Sequence, residues 1–243
     1  MASWPTLGVM LLTYKRYEVA ERCLRALLEK ARYSGPLWVH IADDGSPPVD
    51  HGCEQAEELR LIAGGYPQVA QATSSNSGQR GYGASFNLAT QRLHLGCEVI
   101  MPMEDDWELQ RPLDLDPLVM ILHDTGLPID VIRLGYLGFT QELRGQFLHT
   151  EAGVMALLDP ASTEPHVAAG HVRLETREYE RRVGAWPEGL PAGRTEWEWC
   201  RRAEAREGVA FPLDLIHPAR DPLFAHIGAE RLNEHQPTGV ADA

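Results

Sequence analysis

Three adjacent acidic residues, Glu104, Asp105 and Asp106, are the part of this sequence best suited to chemistry. They directly follow an apolar run, at a place where a buried strand would meet a loop. Adjacent carboxylates repel each other by roughly 1 to 4 kcal/mol at an intermediate dielectric constant. A divalent cation would relieve this repulsion, and Mg²⁺ or Mn²⁺ typically binds one or two carboxylates together with substrate phosphates. The triplet therefore predicts a cation site, unless Asp106 only caps a helical turn over 107–109 and all three acids are solvated.

A second acidic pair, Asp43 and Asp44, also follows a predicted buried strand, and Gly45 permits a sharp turn after it. Carboxylates in this position can accept hydrogen bonds from a pyrimidine N–H or from ribose hydroxyls. The same residues would also form an Asx-type turn without any ligand. The pair is therefore a candidate nucleoside site at the same edge of the sheet as the acidic triplet.

A glycine-rich stretch over 77–83 opens a predicted helix, so its backbone N–H groups and the Arg80 side chain could face a phosphate. It lacks the Gly-Lys-Ser/Thr ending of a P-loop and does not fit the Gly-x-Gly-x-x-Gly pattern of dinucleotide-binding proteins. On its own, the stretch is weak evidence for phosphate binding.

In this order, the motifs resemble those of the family-2 glycosyltransferases, which have the GT-A fold. The resemblance covers residues 7–110 and is carried by Val9–Arg16, Ile41–Ser46, Asn76–Gly78 with Asn87, and Met103–Asp106. It implies inverting transfer of a sugar from a nucleoside diphosphate, with Mn²⁺ or Mg²⁺ held by a variant of the family's Asp-X-Asp motif. A UDP- or dTDP-linked sugar is the donor that it suggests.

The site residues follow from the resemblance position by position. The predicted donor-binding residues are Thr13, Tyr14, Arg16, Asp43, Asp44, Asn76, Arg80 and Asp105. The predicted metal ligands are Asp106, Glu104 and His226. His226 is included because the segment 224–228 resembles a late His-X-Gly segment that reaches the metal or the diphosphate, although an isolated histidine is more often structural.

The segment 195–198 resembles the family's Glu-Asp motif, in which an acid that precedes a helix is the catalytic base. Trp197 stands where the second acid is expected, which leaves Glu196 as the leading base and Glu198 as its rival. Without the resemblance, both acids could simply favour the N-terminal turn of a helix. Arg173 and Arg177 are candidates for contact with the acceptor, although long basic side chains usually coat a surface.

Alternating strands and helices must position these motifs. Short apolar runs predict strands over 7–12, 37–42 and 98–103, with a weak strand over 69–72. Apolar residues at helical spacing predict helices over 19–31 and 53–62, and a third helix with Phe86, Ala89 and Leu93 on one side. This alternation predicts an α/β fold with a doubly wound, mostly parallel central sheet flanked by helices. Such sheets bind ligands outside the carboxyl ends of their strands.

The rest of the chain allows a coarser prediction. Beyond Asp130 we expect short strands over 131–137, 146–150 and 154–158, a loop over 186–193 and a helix over 196–206. A single GT-A domain would span 1–235, with a nucleotide-sugar-binding half over 1–110, an acceptor-binding half over 111–235 and a disordered tail over 236–243.

The composition restricts the function further. The 243 residues carry a net charge of −13, which disfavours non-specific binding to nucleic acids. No apolar run approaches the roughly 20 residues of a membrane-spanning helix, and the N-terminus lacks the features of a secretion signal, so we expect a cytoplasmic protein. Four scattered cysteines without a Cys-x-x-Cys pair indicate neither a zinc cluster nor a disulfide framework.

The acceptor is not identified by these motifs: a glycan, a lipid-linked glycan, a protein, a small molecule or a modified nucleobase would be compatible. Two other functions also stay open. A sugar-nucleotide nucleotidyltransferase would combine a similar sheet with Mg²⁺, but its usual glycine-rich loop after the first strand is replaced here by residues 13–17, which contain no glycine. A non-catalytic module that binds a nucleotide sugar or a glycan is the other alternative, and the departure at Trp197 favours it.

Overall fold

The structure, a computed structural model, describes residues 4–49, 52–123, 126–135, 145–159, 170–202, 205, 207–213 and 222–228. Its strands are β1 (Leu7–Thr13), β2 (Ala31–Arg32), β3 (Leu37–Asp43), β4 (Val69–Asn76), β5 (Val99–Glu104), β6 (Trp107–Leu109), β7 (Leu113–Asp114), β8 (Val131–Arg133), β9 (Gly145–Thr150), β10 (Gly153–Leu158), β11 (Arg173–Thr176), β12 (Val209–Pro212) and β13 (Phe224–His226). Its helices are α1 (Tyr17–Lys30), α2 (Gln55–Gly64), α3 (Tyr82–Leu93), α4 (Asp116–His123), α5 (Arg177–Val183) and α6 (Ala192–Cys200).

One sheet contains nine of these strands, in the order β4-β3-β1-β5-β11-β8-β12-β10-β9. The four strands at one side, β4, β3, β1 and β5, are parallel to one another. From β5 onward the sheet continues through antiparallel pairs, apart from the parallel pair of β12 and β8. The motif-bearing strands therefore all run in the same direction.

Helices cover both faces of the parallel part because its strands are apolar on both sides. In β1, Val9 and Leu11 belong to a hydrophobic cluster that also contains residues of α1, α2 and α4. Met10 and Leu12 lie on the other face and pack with residues of α3, α5 and α6. The predicted α/β class with a doubly wound central sheet is therefore confirmed.

The register of the parallel strands brings the motifs to one edge of the sheet. Thr13 at the end of β1 lies beside Asp43 at the end of β3, and Asp43 lies beside Asn76 at the end of β4. On the other side of β1, Leu12 pairs with Glu104, the last residue of β5. Separate segments of the sequence thus meet at the carboxyl ends of parallel strands, where sheets of this kind bind ligands.

The alternative in which Asp106 caps a helical turn is wrong. Trp107–Leu109 form β6, which pairs in antiparallel orientation with β13 at the far end of the chain. Residues 107–109 therefore satisfy their backbone groups across a two-stranded ladder, and this ladder ties the acidic triplet to the segment around His226.

The helix predicted over 196–206 begins earlier than expected. α6 starts at Ala192, inside the predicted 186–193 loop, and ends at Cys200. Pro191 precedes it with a φ of −56°, which is close to the fixed φ of proline and suits the start of a helix. Glu196 consequently lies in the middle of α6 rather than before its N-terminus.

Several other predictions were incomplete. β4 is longer than the predicted 69–72 strand. The elements that were not predicted at all are β2, β7, α4, β11, α5, β12 and β13. The predicted 131–137 strand corresponds to β8, while its last residues and the predicted 236–243 tail lie outside the described residues. Among the described helices, none combines the length and the apolar character that crossing a bilayer requires.

Candidate active site

A cavity of about 500 Å³ opens at the carboxyl edge of the parallel strands. The predicted site residues that line it are Thr13, Tyr14, Arg16, Asp44, Glu104, Asp105 and Glu196. Tyr82 and Ser85, from the first turn of α3, also line it. A second cavity of about 500 Å³ between α3 and α5 contains none of the predicted catalytic, donor-binding or metal-binding residues.

Asp105 is fully buried at the base of the site, and both of its carboxylate oxygens accept hydrogen bonds. Thr13 Oγ1 donates to Oδ2 at 2.8 Å, and the Arg16 guanidinium donates to Oδ1. Gln55 Nε2 donates in turn to Thr13 Oγ1 at 2.8 Å, which fixes the hydroxyl. Burial raises the pKa of Asp105 to about 6, while the charge of Arg16 opposes this shift. Asp105 is therefore held in place and has little capacity left for a further ligand.

Asp106 is also buried but is less completely paired. Its Oδ2 accepts a hydrogen bond from Arg16 Nη1 at 2.7 Å and lies 3.5 Å from His226 Nε2. Its Oδ1 is buried and has no hydrogen-bond partner among the described residues. Burial disfavours the charged form, but His226 and Arg16 together hold the pKa of Asp106 below its ordinary value. Asp106 is thus ionised, and one of its buried oxygens has no hydrogen-bond partner in the described ranges.

His226 reaches Asp106 because β13 pairs with β6, which starts right after the acidic triplet. The Ile227 N–H donates to the Asp106 carbonyl at 2.8 Å, and the His226 ring lies 5.0 Å from the Trp107 ring. A Cβ atom at Gly228 would come within 2.2 Å of Asp106 Oδ2, so this position has no room for a side chain. The predicted neighbourhood of His226 and Asp106 is present in the structure.

The donor atoms of this corner fit a hard divalent cation that shares its ligands with a substrate. Three or more His, Cys, Asp or Glu side chains arranged to hold a metal are not found in the described part of the chain. Asp106 Oδ1 and His226 Nε2 could supply two ligands, and Mg²⁺ or Mn²⁺ commonly takes the rest from water and substrate phosphates. The residues therefore fit a cation that binds together with a phosphorylated ligand rather than a closed metal site.

Asp43 and Asp44 make different contacts: Asp43 stabilises a turn, and Asp44 binds the glycine-rich loop. Asp43 Oδ1 accepts hydrogen bonds from the Ser46 N–H at 3.0 Å and from Ser46 Oγ at 2.6 Å, which is the predicted Asx-type turn. Asp43 Oδ2, however, is buried without a hydrogen-bond partner in the described ranges. Asp44 Oδ1 accepts from Ser77 Oγ at 2.6 Å and from the Gly81 N–H at 3.0 Å. The turn therefore exists, and Ala42 and Asp44 line the cavity whereas Asp43 between them does not.

The remaining donor-binding candidates differ in their placement. Tyr14 lines the cavity and is 39% exposed, with its hydroxyl accepting a hydrogen bond from Gln79 Nε2 at 3.1 Å. Asn76 Oδ1 accepts from the Gly78 N–H at 2.9 Å and stabilises the loop. Arg80 lies on the surface, where it pairs with Glu188 at 3.5 Å. Tyr14 is thus available to a ligand in the cavity, whereas Asn76 and Arg80 stay outside its lining.

Glu104 and Glu196 face each other across the cavity wall. Their carboxyl groups are hydrogen-bonded, and the Tyr82 hydroxyl also bonds to Glu104. A Cβ atom at Gly170 would lie 2.5 Å from Glu104 Oε1 and 2.7 Å from Glu196 Oε1, which shows that both carboxyls converge on one point. Burial raises the pKa of Glu104 well above its ordinary value, and the charge of Glu196 raises it further. Glu104 is therefore hydrogen-bonded to the candidate base, and the charge of Asp106 also helps to raise its pKa.

The structure separates the two candidate bases. Glu196 lines the cavity, whereas Glu198 pairs with Arg201 at 3.6 Å and with Arg194 at 3.9 Å. Two residues correspond to about 200° around a helix, so the two side chains lie on nearly opposite faces of α6. Only the Glu196 face is turned toward the acidic edge of the sheet.

Arg173, suggested as an acceptor contact, is instead a core residue. Its side chain is 1% exposed, and its Nε donates to Glu175 at 2.6 Å. The guanidinium lies 5.4 Å from the Phe86 ring centre and 5.8 Å from that of Trp186. The prediction was wrong because residues two apart in a strand share a face, so Glu175 pairs with Arg173 inside the protein.

Comparison with known proteins shows the fold but no sequence relative. Neither a protein-family model nor a curated protein matches the sequence. Among solved structures, S. aureus TarS residues 1–349 matches with a TM-score of 0.63 at 13% identity, over 94% of this chain and 62% of that one. GalNAc-T7 with UDP, GalNAc and Mn²⁺ matches with a TM-score of 0.61 at 13% identity, over 90% and 43% of the two chains. The chain has the GT-A glycosyltransferase fold.

A third structure, the mannosyltransferase PcManGT from Pyrobaculum calidifontis with GDP-Man and Mn²⁺, matches with a TM-score of 0.51 at 16% identity, over 85% of this chain and 56% of that one. The chain spans less than two thirds of the length of each of these three proteins. The predicted GT-A fold is confirmed, while membership of family 2 stays a prediction.

Sequence reasoning did not find Tyr82, which lines the cavity, or Gln55, which donates to Thr13. Gln55 begins α2 and Tyr82 begins α3, so both side chains lie where a helix N-terminus faces the carboxyl edge of the sheet. A polar or aromatic residue at the first position of each predicted helix was the available signal. The predicted second helix began at Cys53, two residues before α2, and the glycine-rich stretch that contains Tyr82 was considered only for phosphate binding.

Proposed function

We propose that this protein is an inverting, divalent-metal-dependent glycosyltransferase that uses a nucleoside-diphosphate sugar as donor. The observation that carries the proposal is the pair of buried, unpartnered carboxylate oxygens, Asp43 Oδ2 and Asp106 Oδ1, within the described part of one sheet edge. A buried polar atom without a partner costs about 1 to 3 kcal/mol, so it is retained where a ligand satisfies it. A base N–H or a ribose hydroxyl would satisfy Asp43, and Mn²⁺ or Mg²⁺ would satisfy Asp106.

Proteins with the same fold support this choice of ligands. S. aureus TarS was solved with UDP-GlcNAc and with UDP, and GalNAc-T7 was solved with UDP, GalNAc and Mn²⁺. Asp44 of the Asp43–Asp44 turn lines the cavity, and so does Arg16, which pairs with Asp106 in the Asp106–His226 corner. A nucleoside and a metal-bound diphosphate are the two parts of a sugar nucleotide that these two regions would bind.

In the proposed reaction, the acceptor oxygen forms a bond to the anomeric carbon while the bond from that carbon to the diphosphate oxygen breaks. Glu196 takes the proton of the acceptor hydroxyl, and the diphosphate leaves with the bonding electrons. Because the pKa of Glu104 is raised, Glu104 keeps the proton of the hydrogen bond between the two carboxyl groups. Glu196 is then the ionised carboxylate of the pair. The bound cation would stabilise the departing negative charge. Arg16, next to Asp106, adds a permanent positive charge on the same side.

A thermal-shift screen tests the donor assignment directly. A nucleotide sugar present at about 100 times its Kd stabilises a protein by about 2.7 kcal/mol, which for a domain of this size raises Tm by about 5 to 10 °C. We expect such a shift with a UDP- or dTDP-sugar in the presence of Mn²⁺ and a much smaller one with pyrophosphate and Mn²⁺.

The matched control for that screen is Asp43→Asn, which should lose the difference between nucleotide sugar and pyrophosphate. Absence of a shift with every nucleoside-diphosphate sugar tested, with Mn²⁺ present, would contradict the proposal. In a turnover assay, release of nucleoside diphosphate agrees with glycosyl transfer, whereas release of pyrophosphate would indicate a nucleotidyltransferase.

Gly170→Ala should lower turnover through the base. The added Cβ would press on the carboxyl groups of Glu104 and Glu196, and misplacing a catalytic group by about 1 Å can cost about 100-fold in rate. We therefore expect kcat to fall by about 10- to 100-fold with little change in donor affinity, measured by nucleoside diphosphate release and by titration. Gly193→Ala is the control, because a Cβ there meets open space. Equal activity of both variants would show that the crowding at 170 has no catalytic consequence.

A further inference from the structure

Arg16 connects Asp105 with Asp106, the aspartate to which the proposed function assigns the cation. It follows β1, immediately before α1, and its guanidinium donates to Asp105 Oδ1 and to Asp106 Oδ2. The side chain is 24% exposed, so the ion pairs are partly shielded from water. One arginine thus neutralises part of the negative charge that a divalent cation would otherwise meet.

The hydrogen bonds also leave few carboxylate oxygens for a cation. Thr13 and Arg16 occupy both oxygens of Asp105, and Arg16 occupies one oxygen of Asp106. In the described residues, Asp106 Oδ1 is the oxygen of these two aspartates that lacks a hydrogen-bond partner. A cation that arrives alone would therefore meet few ligands and a fixed positive charge, and both weaken binding.

We propose that Arg16 acts as a built-in counter-ion, which makes tight binding of the divalent cation dependent on the nucleoside diphosphate. A diphosphate brings negative oxygens that bind the cation and that also pair with a guanidinium, for which arginine geometry is well suited. With the diphosphate present, the positive charge of Arg16 is offset and no longer disfavours the cation. The cation and the nucleotide then bind cooperatively, and this inference rests on the proposed function.

Manganese titrations of the whole protein, with free Mn²⁺ followed by electron paramagnetic resonance, test this dependence. For the wild-type protein we expect Mn²⁺ to bind at least about tenfold more tightly with UDP than without it, because the coupling is carried by a full charge at contact distance. Equal Mn²⁺ affinity with and without UDP would overturn the proposal, and this measurement needs no variant.

Arg16→Gln should raise the affinity for Mn²⁺ alone by about tenfold and reduce the effect of UDP, since the competing charge is gone. Arg16→Lys keeps the charge and should stay close to wild type. The matched control is Arg22→Gln, which removes the same charge from α1, where Arg22 pairs with Glu108 at 2.6 Å on the surface. A role in folding alone would not strengthen Mn²⁺ binding in any of these variants.

The outcomes separate this inference from the proposed function. An increase in Arg16→Gln without an increase in Arg22→Gln supports the counter-ion role. The same Mn²⁺ affinity in all proteins, or an equal increase in both glutamine variants, overturns that role even if UDP still binds with Mn²⁺. Failure of the wild-type protein to bind UDP in the presence of Mn²⁺ would overturn the proposed function together with this inference.

Discussion

Asp106→Ala is expected to abolish metal-dependent turnover, with a loss of at least about 1,000-fold, because a metal ion contributes several kcal/mol of transition-state stabilisation. The carboxylate that disappears is the one whose Oδ1 lacks a partner in the described part of the chain, and His226 would be left there as a neighbour that can bind the cation. Nucleoside diphosphate release, measured over a range of Mn²⁺ concentrations, checks this expectation. The rate of the variant should no longer rise with Mn²⁺.

Two controls separate loss of the metal from loss of the fold. Glu108→Gln removes a carboxylate two residues further along the chain, where Glu108 pairs with Arg22, and it should keep its Mn²⁺ response. Thermal unfolding of Asp106→Ala should still be cooperative, because Asp105 retains its bonds to Thr13 and Arg16. A Mn²⁺-dependent rate within about tenfold of wild type would show that Asp106 does not anchor the cation.

The edge of the site could be predicted because the chemistry follows parallel strands. Apolar runs without alternation indicated β1, β3 and β5, and strands of this type end at a common edge. Asp43, Asp44 and the acidic triplet therefore had to be neighbours once the sheet was correct. This inference uses only the direction of the strands and requires no knowledge of side-chain packing.

The contacts that each acidic residue makes at that edge could not be predicted from the sequence. Glu104 belongs to the triplet in sequence, but it bonds to Glu196, which lies 92 positions further along on α6. Likewise, His226 reaches Asp106 through a short antiparallel ladder that the sequence did not indicate. Contacts of this kind depend on how distant elements pack, and neither periodicity nor capping signals contain that information.

Glu196→Gln is expected to lower kcat by about 100- to 10,000-fold while leaving donor affinity nearly unchanged, because it removes a general base without removing its shape. The amide oxygen can still accept the hydrogen bond from Glu104, whose pKa is raised, so the wall of the cavity should be preserved. Glutamine cannot take the proton of an acceptor hydroxyl at neutral pH. Nucleoside diphosphate release gives kcat, and titration with the donor sugar and Mn²⁺ gives the affinity.

Glu198→Gln is the matched control, since it makes the same change on the opposite face of α6, where the carboxylate pairs with Arg194 and Arg201. We expect this variant to turn over at close to the wild-type rate. If Glu196→Gln were as active as Glu198→Gln, the base assignment would be rejected, although nucleotide-sugar binding could still stand. If instead Glu198→Gln alone lost activity, the ion pairs of α6 would have to rearrange for catalysis, because in this structure that carboxylate does not line the cavity.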